Sequence, residues 1–149
     1  MRTRATEGAG DYDLQVELRD LVSLAVVGDH LRWVLRGDDA EELVDWLGGA
    51  IAQWRTWADQ VARQLAEAGV APDARVRSLA KDIQVHWVPE GFLEAGEARR
   101  LVDDRLSSVA EWACHRRTQA TGAAAELLAA ICSGLQAQLQ ERRDVAPLS

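Results

Sequence analysis

Apolar side chains recur at steps of three and four residues along most of the chain, which is the period of an α-helix with one face in a core. The clearest run ends at Gly69, and its apolar positions are Leu43, Leu47, Ala50, Trp54, Trp57, Val61, Leu65 and Ala68. It predicts one helix over residues 39–68, ~40 Å long at the usual rise per residue. A helix of that length suits a long bundle.

Three more segments show the same period. The first contains Leu14 to Val34 and carries two neighbouring apolar stripes, so we expect it to be buried on more than one side. Gly37 is expected to end this helix, and Asp39 to cap the next one. The other two helices follow late in the chain, from Glu94 to a break at residues 120–122 and from Ala124 to Leu139, with fraying predicted over 142–149.

Between the second and third helices the pattern breaks, from Val70 to Gly91. Within this stretch residues 75–83 predict one or two short helical turns, and residues 85–89 an extended connector. A connection of this length can carry the chain from one end of a bundle to the other. We therefore predict an all-α, ferritin-like four-helix bundle over residues 13–143, with a long crossover containing a short helix between helices 2 and 3.

The ends of the chain are polar, and we predict a flexible tail over residues 1–12 and another over 144–149. A net charge of −7 and a pI near 4.9 argue against nucleic-acid binding, which depends on basic patches. No run reaches the roughly 18 apolar residues of a membrane span, and the N-terminus lacks the apolar core of a secretion signal. We expect a cytoplasmic protein with no membrane partner.

Few residues suggest chemistry. Cys114 and Cys132 are 18 residues apart without zinc spacing, so we expect two reduced, buried thiols. A metal site inside the bundle would need Glu-x-x-His pairs, which the chain lacks. The nearest approach is Glu111 with His115, for which a solvated salt bridge is favoured over a ligand pair. His30 and His86 are single histidines, and we expect both to be satisfied or exposed.

Two motifs refine the fold class. Residues 32–37 read Arg-Trp-Val-Leu-Arg-Gly, and residues 59–64 read Asp-Gln-Val-Ala-Arg-Gln before Gly69. From Leu14 to Gln140 the chain resembles the Dps family, the bacterial mini-ferritins. There the first helix ends in His-Trp-Asn-Val-Arg-Gly, and the second carries Asp-x-x-Ala-Glu-Arg followed by Leu-Gly-Gly. The spacing between these motifs matches without gaps.

The resemblance also implies an iron site at a twofold interface, made of two His and an Asp from one subunit and an Asp and a Glu from its neighbour. The matching positions here are Arg32, Val44 and Gly48, and then Asp59 and Arg63. Of these five positions, only Asp59 still holds the residue type that binds iron in the family. Because a guanidinium repels a cation and cannot be deprotonated to bind it, we expect no metal there, no cofactor and no ferroxidase activity.

Two interpretations of this site remain open. If the family dimer persists, Arg32 of one subunit would meet Asp59 and Arg63 of the other, and an Arg–carboxylate bridge would replace the metal. Alternatively, the surplus positive charge forms an anion or small-molecule pocket. Its residues would be Arg32, Trp33, Val44, Gly48, Asp59 and Arg63. Tryptophans could wall it, namely Trp33, Trp46, Trp54 and Trp57, although tryptophans at helical spacing are more often core or interface residues.

The function classes follow from these interpretations. The first is a Dps-like homo-oligomer, a dimer or a dodecamer, that acts through structure or binding and has lost iron oxidation. The second is a metal-independent enzyme or ligand-binding protein of a specialised biosynthetic pathway. The third is the family's iron-storing ferroxidase.

Overall fold

The computed structural model describes residues 4–81 and 88–144, with side chains from residue 10 onward. The helices in chain order are α1 Arg4–Val34, α2 Ala40–Glu67, α3 Val76–Ala80, α4 Ala95–Gln119 and α5 Gly122–Asp144. The strands are β1 Leu35–Arg36 and β2 Leu93–Glu94. Four long helices with a short one in the crossover were predicted, and this arrangement is confirmed.

The bundle is built from two antiparallel pairs, because α1 packs along α2 and α4 along α5. Contacts of α1 with α4, and of α2 with α5, close it. The apolar stripe of α2 lies in the core as predicted, with Leu43, Leu47, Trp57 and Val61 all buried. Among the described helices none combines the length and the apolar run that crossing a membrane requires.

Helix α1 begins earlier than predicted. It starts at Arg4, whereas residues 1–12 were expected to form a tail, and the expectation is therefore wrong for residues 4–12. No apolar stripe marks this stretch, but extending an existing helix costs little because each added residue gains one hydrogen bond. The division of the chain into a bundle and two tails otherwise stays a prediction.

The junction between α1 and α2 is tighter than the sequence indicated. Strands β1 and β2 pair in parallel, with Leu35 opposite Leu93 and Arg36 opposite Glu94. Gly37 has φ +94°, a conformation that favours glycine, whereas the Glu94 carboxylate that a Cβ would meet there is exposed and can move. The capping prediction for Asp39 was wrong, since that residue sits at the N-cap with φ 67° but makes no side-chain cap hydrogen bond.

The crossover is fastened to α1. Gln15 donates to the Ala71 carbonyl over 2.8 Å and accepts from the Asp73 backbone N–H over 2.9 Å. Hydrogen bonds from Arg75 and Ser78 hold the pKa of Asp73 well below its usual range. The short helix predicted in residues 75–83 is confirmed as α3. Most of the predicted connector, and His86 with it, lies outside the described residues.

The C-terminal helix does not fray at residue 142 as predicted. Arg142 is buried, its Nε donates to Asp103 Oδ1 over 2.9 Å, and its guanidinium stacks 4.7 Å from the ring centre of Trp46. An arginine near a helix end is usually a solvated residue, so the polar sequence around it gave no sign of this anchor.

The two cysteines were expected to be reduced thiols, and that expectation is wrong because Cys114 and Cys132 form a disulfide between α4 and α5. Their Cα atoms are 4.9 Å apart. The expectation rested on the reducing cytosol rather than on geometry. An antiparallel hairpin that turns near Gly122 places residues at similar distances from the turn side by side, which is where these cysteines lie.

Candidate functional site

Four of the six predicted site residues lie on one face of α2. We call this surface the outer face of α2, and its residues are Val44, Gly48, Asp59 and Arg63. Spacings of four and fifteen residues bring positions to the same side of a helix. None of the four belongs to the core, since Asp59 and Arg63 are exposed and the other two half-buried. At 1.5 Å per residue, roughly 22 Å of helix separates Val44 from Asp59.

The remaining two predicted residues are at the C-terminal end of α1. Arg32 pairs with Asp29 of the same helix over 3.6 Å, and Asp29 also binds Arg55 over 2.8 Å. Trp33 is 74% exposed. A single chain therefore does not bring Arg32 to Asp59. Only a second copy could join the two ends of the predicted site, and that contact stays a prediction.

The donor set on this face is poor for a metal, because Asp59 is its only carboxylate. Elsewhere in the described ranges, no group of three His, Cys, Asp or Glu side chains could hold a metal ion. The predicted salt bridge between Glu111 and His115 is wrong, since neither side chain has an ion pair there. His115 instead meets the Trp112 ring edge to face, with 5.9 Å between ring centres.

A buried polar contact inside the bundle was not predicted at all. Arg116 of α4 reaches α1, where its Nη1 donates to Glu17 Oε1 and to Asp20 Oδ2, both over 2.9 Å. Glu17 is 0% exposed, and its Oε2 has no hydrogen-bond partner. Glu17 stands three residues after Leu14 and four before Leu21, so an acid within the apolar stripe was the available signal.

Burial raises the pKa of Glu17 to about 7, although Arg116 opposes the shift. Burial also acts against the charged form of Arg116, but the carboxylates of Asp20 and Glu17 outweigh it and raise the pKa of Arg116. A metal centre inside a ferritin-type bundle needs carboxylates and imidazoles converging on the ion. Here a guanidinium occupies the position facing the inward acid, so the contact is an ion pair between helices.

The four tryptophans expected near the predicted pocket do not gather there. Trp54 belongs to the core, and Trp33 is exposed at the end of α1. Trp46 and Trp57 do line a cavity, but it lies between α2 and α5. Trp46 and Trp57 thus line a different cavity from the predicted one, and the predicted pocket between subunits stays a prediction.

No protein-family model matches the chain, and no curated protein matches it either. Solved structures match over nearly its whole length. The tetragonal form of Mycobacterium smegmatis Dps is 18% identical with a TM-score of 0.85, covering 95% of this chain and 88% of that one. Dps from Microbacterium arborescens, in a high iron form, is 17% identical with a TM-score of 0.82, covering 91% and 90%.

A third match is the dodecameric thioferritin, a bacterioferritin-related protein, from Bacteroides fragilis. It is 11% identical with a TM-score of 0.81 and covers 93% of this chain and 83% of that one. At these identities the likeness shows the fold. The chain has the ferritin-like four-helix bundle of the Dps structures, as its motifs predicted.

Proposed function

We propose that this protein is a Dps-like homo-oligomer that has lost the iron-oxidising centre and acts as a structural or binding protein. The observation that carries the proposal is the chemistry of the outer face of α2. The positions that the resemblance assigns to iron ligands hold Arg32, Val44, Gly48 and Arg63, none of which can donate to iron as imidazole or carboxylate.

The shape of this face supports a second copy as its partner. A Cβ on Gly48 would meet no atom within 4 Å, so nothing inside one chain requires glycine there. A glycine inside a helix costs about 1 kcal/mol relative to alanine. Its absent side chain allows another helix to approach closely. The exposed ring of Trp33 adds apolar surface that a subunit contact would cover.

The charges support the same partner. Asp59 and Arg63 form no ion pair within the described chain, whereas a second copy would offer Arg32. The pairing of Arg32 with Asp29 also removes part of the surplus positive charge on which an anion pocket would depend. An inter-subunit ion pair is therefore favoured over an anion site. Among the matched structures, the thioferritin is described as dodecameric.

The mass of the assembly and the rate of ferrous iron oxidation test the proposal together. Sedimentation is expected to give two or twelve times the chain mass of 16.4 kDa. Mixed aerobically with ferrous iron, the protein is expected to oxidise it no faster than buffer. The Arg32→His, Val44→His, Gly48→Asp, Arg63→Glu quadruple variant rebuilds the ligand set implied by the resemblance and serves as the positive control. Rapid oxidation with stoichiometric iron uptake by the wild type would overturn the loss of the centre.

Asp59→Asn tests the interface separately. It leaves guanidiniums without their counter-charge in a partly buried contact, which typically costs about 3 kcal/mol or more. The dimer dissociation constant should rise by roughly a hundredfold in sedimentation equilibrium. Asp104→Asn, at an exposed position of α4, is the matched control. Unchanged association of the Asp59 variant would show that these residues do not meet across a subunit boundary.

A further inference from the structure

The cavity between α2 and α5 lies on a different flank of α2 from the outer face. Its volume is about 490 Å³, within the usual range for small-molecule sites. The lining residues that matter for its chemistry are Asp45, Trp46, Gly49, Trp57, Gln138 and Glu141.

Gln138 lines the cavity and brings an amide donor to its wall. This side chain is 7% exposed, and its Oε1 accepts from the indole N–H of Trp54 over 2.8 Å. Because an indole nitrogen can only donate, the amide oxygen must face Trp54, and this fixes the orientation of the amide. The amide nitrogen then has no partner among the described residues. This nitrogen is not a buried unsatisfied atom, so water in the cavity can reach it, and an acceptor on a ligand can replace that water.

The aromatic walls of the cavity are held in place. Trp46 donates from Nε1 to Glu141 Oε2 over 3.1 Å, and its ring stacks with the Arg142 guanidinium. Trp57 lies against Gly134, where a Cβ would collide with the indole ring. Walls that are already ordered lose little conformational entropy when a flat molecule binds.

The charge of the lining is one-sided. Asp45 and Glu141 contribute two carboxylates, and the cavity wall includes no lysine or arginine among the described residues. Because the Arg142 guanidinium already stacks on Trp46, the carboxylates rather than the rings favour a positively charged guest, which gains ion pairing.

We propose that this cavity binds a small organic cation, specifically an ammonium compound with a flat aromatic ring and an oxygen acceptor for Gln138. The Gly49 position leaves room for the ring, and Asp45 with Glu141 receives the ammonium group. The site is complete within one chain, so it does not depend on the proposed oligomer or on the loss of iron oxidation.

Two probes of matched shape and opposite charge test the site. Isothermal titration of the full chain with 5-hydroxytryptamine should give saturable binding at one site per chain. The same experiment with 5-hydroxyindole-3-acetate, in which a carboxylate replaces the terminal CH2–NH3+ unit, should show affinity lower by about tenfold or more. Equal affinities, or no saturation by the amine at millimolar concentration, would overturn the proposal.

Variants then locate the binding. The Asp45→Asn, Glu141→Gln double variant removes both charges but retains an acceptor for Trp46, and it should weaken amine binding by about tenfold or more. Glu126→Gln, elsewhere on α5, removes one charge outside the cavity and should change the affinity by less than about twofold.

Gly49→Leu provides a steric test. A Cβ at this position meets no atom within 4 Å, so the helix can accept the side chain, and circular dichroism would check that the fold is kept. The added side chain should abolish binding by filling the cavity. Full affinity in either cavity variant would place the amine elsewhere and overturn the assignment.

Discussion

The outer face of α2 and the buried contact between α1 and α4 both combine arginine with acid, but they differ in what satisfies the charges. On the outer face, Asp59 and Arg63 are exposed and have no ion pair within the described chain. In the interior, Arg116 binds Glu17 and Asp20 directly over 2.9 Å. Water stabilises the first set, whereas the second depends entirely on its own partners.

This difference indicates which of the charged residues the fold depends on. Removing one partner of a buried pair leaves an uncompensated charge and destabilises strongly. A solvated charge contributes little to the stability of its own chain. The outer face can therefore change its residues without loss of the fold.

Among the substitutions that test this comparison, Arg116→Met should have the largest effect. It leaves Glu17 buried without its counter-charge, and the free energy of unfolding at pH 8 should fall by about 3–5 kcal/mol. The measurement is urea denaturation followed by circular dichroism.

Arg117→Met is the matched control, because Arg117 is the next residue of α4 and is exposed. Its effect should stay within about 0.5 kcal/mol. Equal losses in the two variants would mean that the buried contact does not stabilise the fold through its charge.

The pH dependence of stability sharpens the same contrast. The folded protein keeps the Glu17 proton up to about pH 7, whereas the unfolded chain releases it near the ordinary pKa of 4.5. Unfolding therefore releases a proton between these pH values, and the free energy of unfolding should fall as pH rises through this window. A shift of this size corresponds to at most about 3 kcal/mol.

Glu17→Gln cannot ionise, so the variant should lose this part of the pH dependence while keeping that of the other carboxylates. Urea denaturation series at pH 5 and pH 8 compare the two proteins. Parallel pH profiles for variant and wild type would show that Glu17 titrates normally in the folded state.

The smallest expected effect comes from a comparison of two adjacent glycines of α2. A Cβ added at Gly48 or at Gly49 would meet no atom within 4 Å, so alanine at either position should stabilise the helix by about 1 kcal/mol. Only Gly48→Ala should also weaken subunit association in sedimentation velocity, since Gly48 lies on the outer face. Equal association of both variants would contradict a close helix contact at Gly48.

Much of the fold could be predicted because residues close together in the chain show the helical period. The stripe from Leu43 to Leu65 marked the core side of α2, and the break at Val70 marked the crossover. Pairing over long separations left no such pattern. Glu17 and Arg116 are 99 residues apart, and a two-residue strand such as β1 is too short to show a period.

The candidate site could be predicted only in part, for a similar reason. Motif spacing predicted a site on the outer face of α2 and the replacement of iron ligands there, and both stay predictions. It could not show that Asp29 already pairs with Arg32, or that Trp46 and Trp57 face α5. Those facts depend on how two helices are rotated against each other.

The sequence by itself determined the helices, their order and the chemical character of the outer face, because each depends on residues close together in the chain. Only the tertiary structure decided the disulfide between Cys114 and Cys132, the burial of Arg142 and the orientation of the Gln138 amide. Each of these requires side chains from different helices to meet. Local periodicity fixes which face of a helix turns inward, but not which partner it finds there.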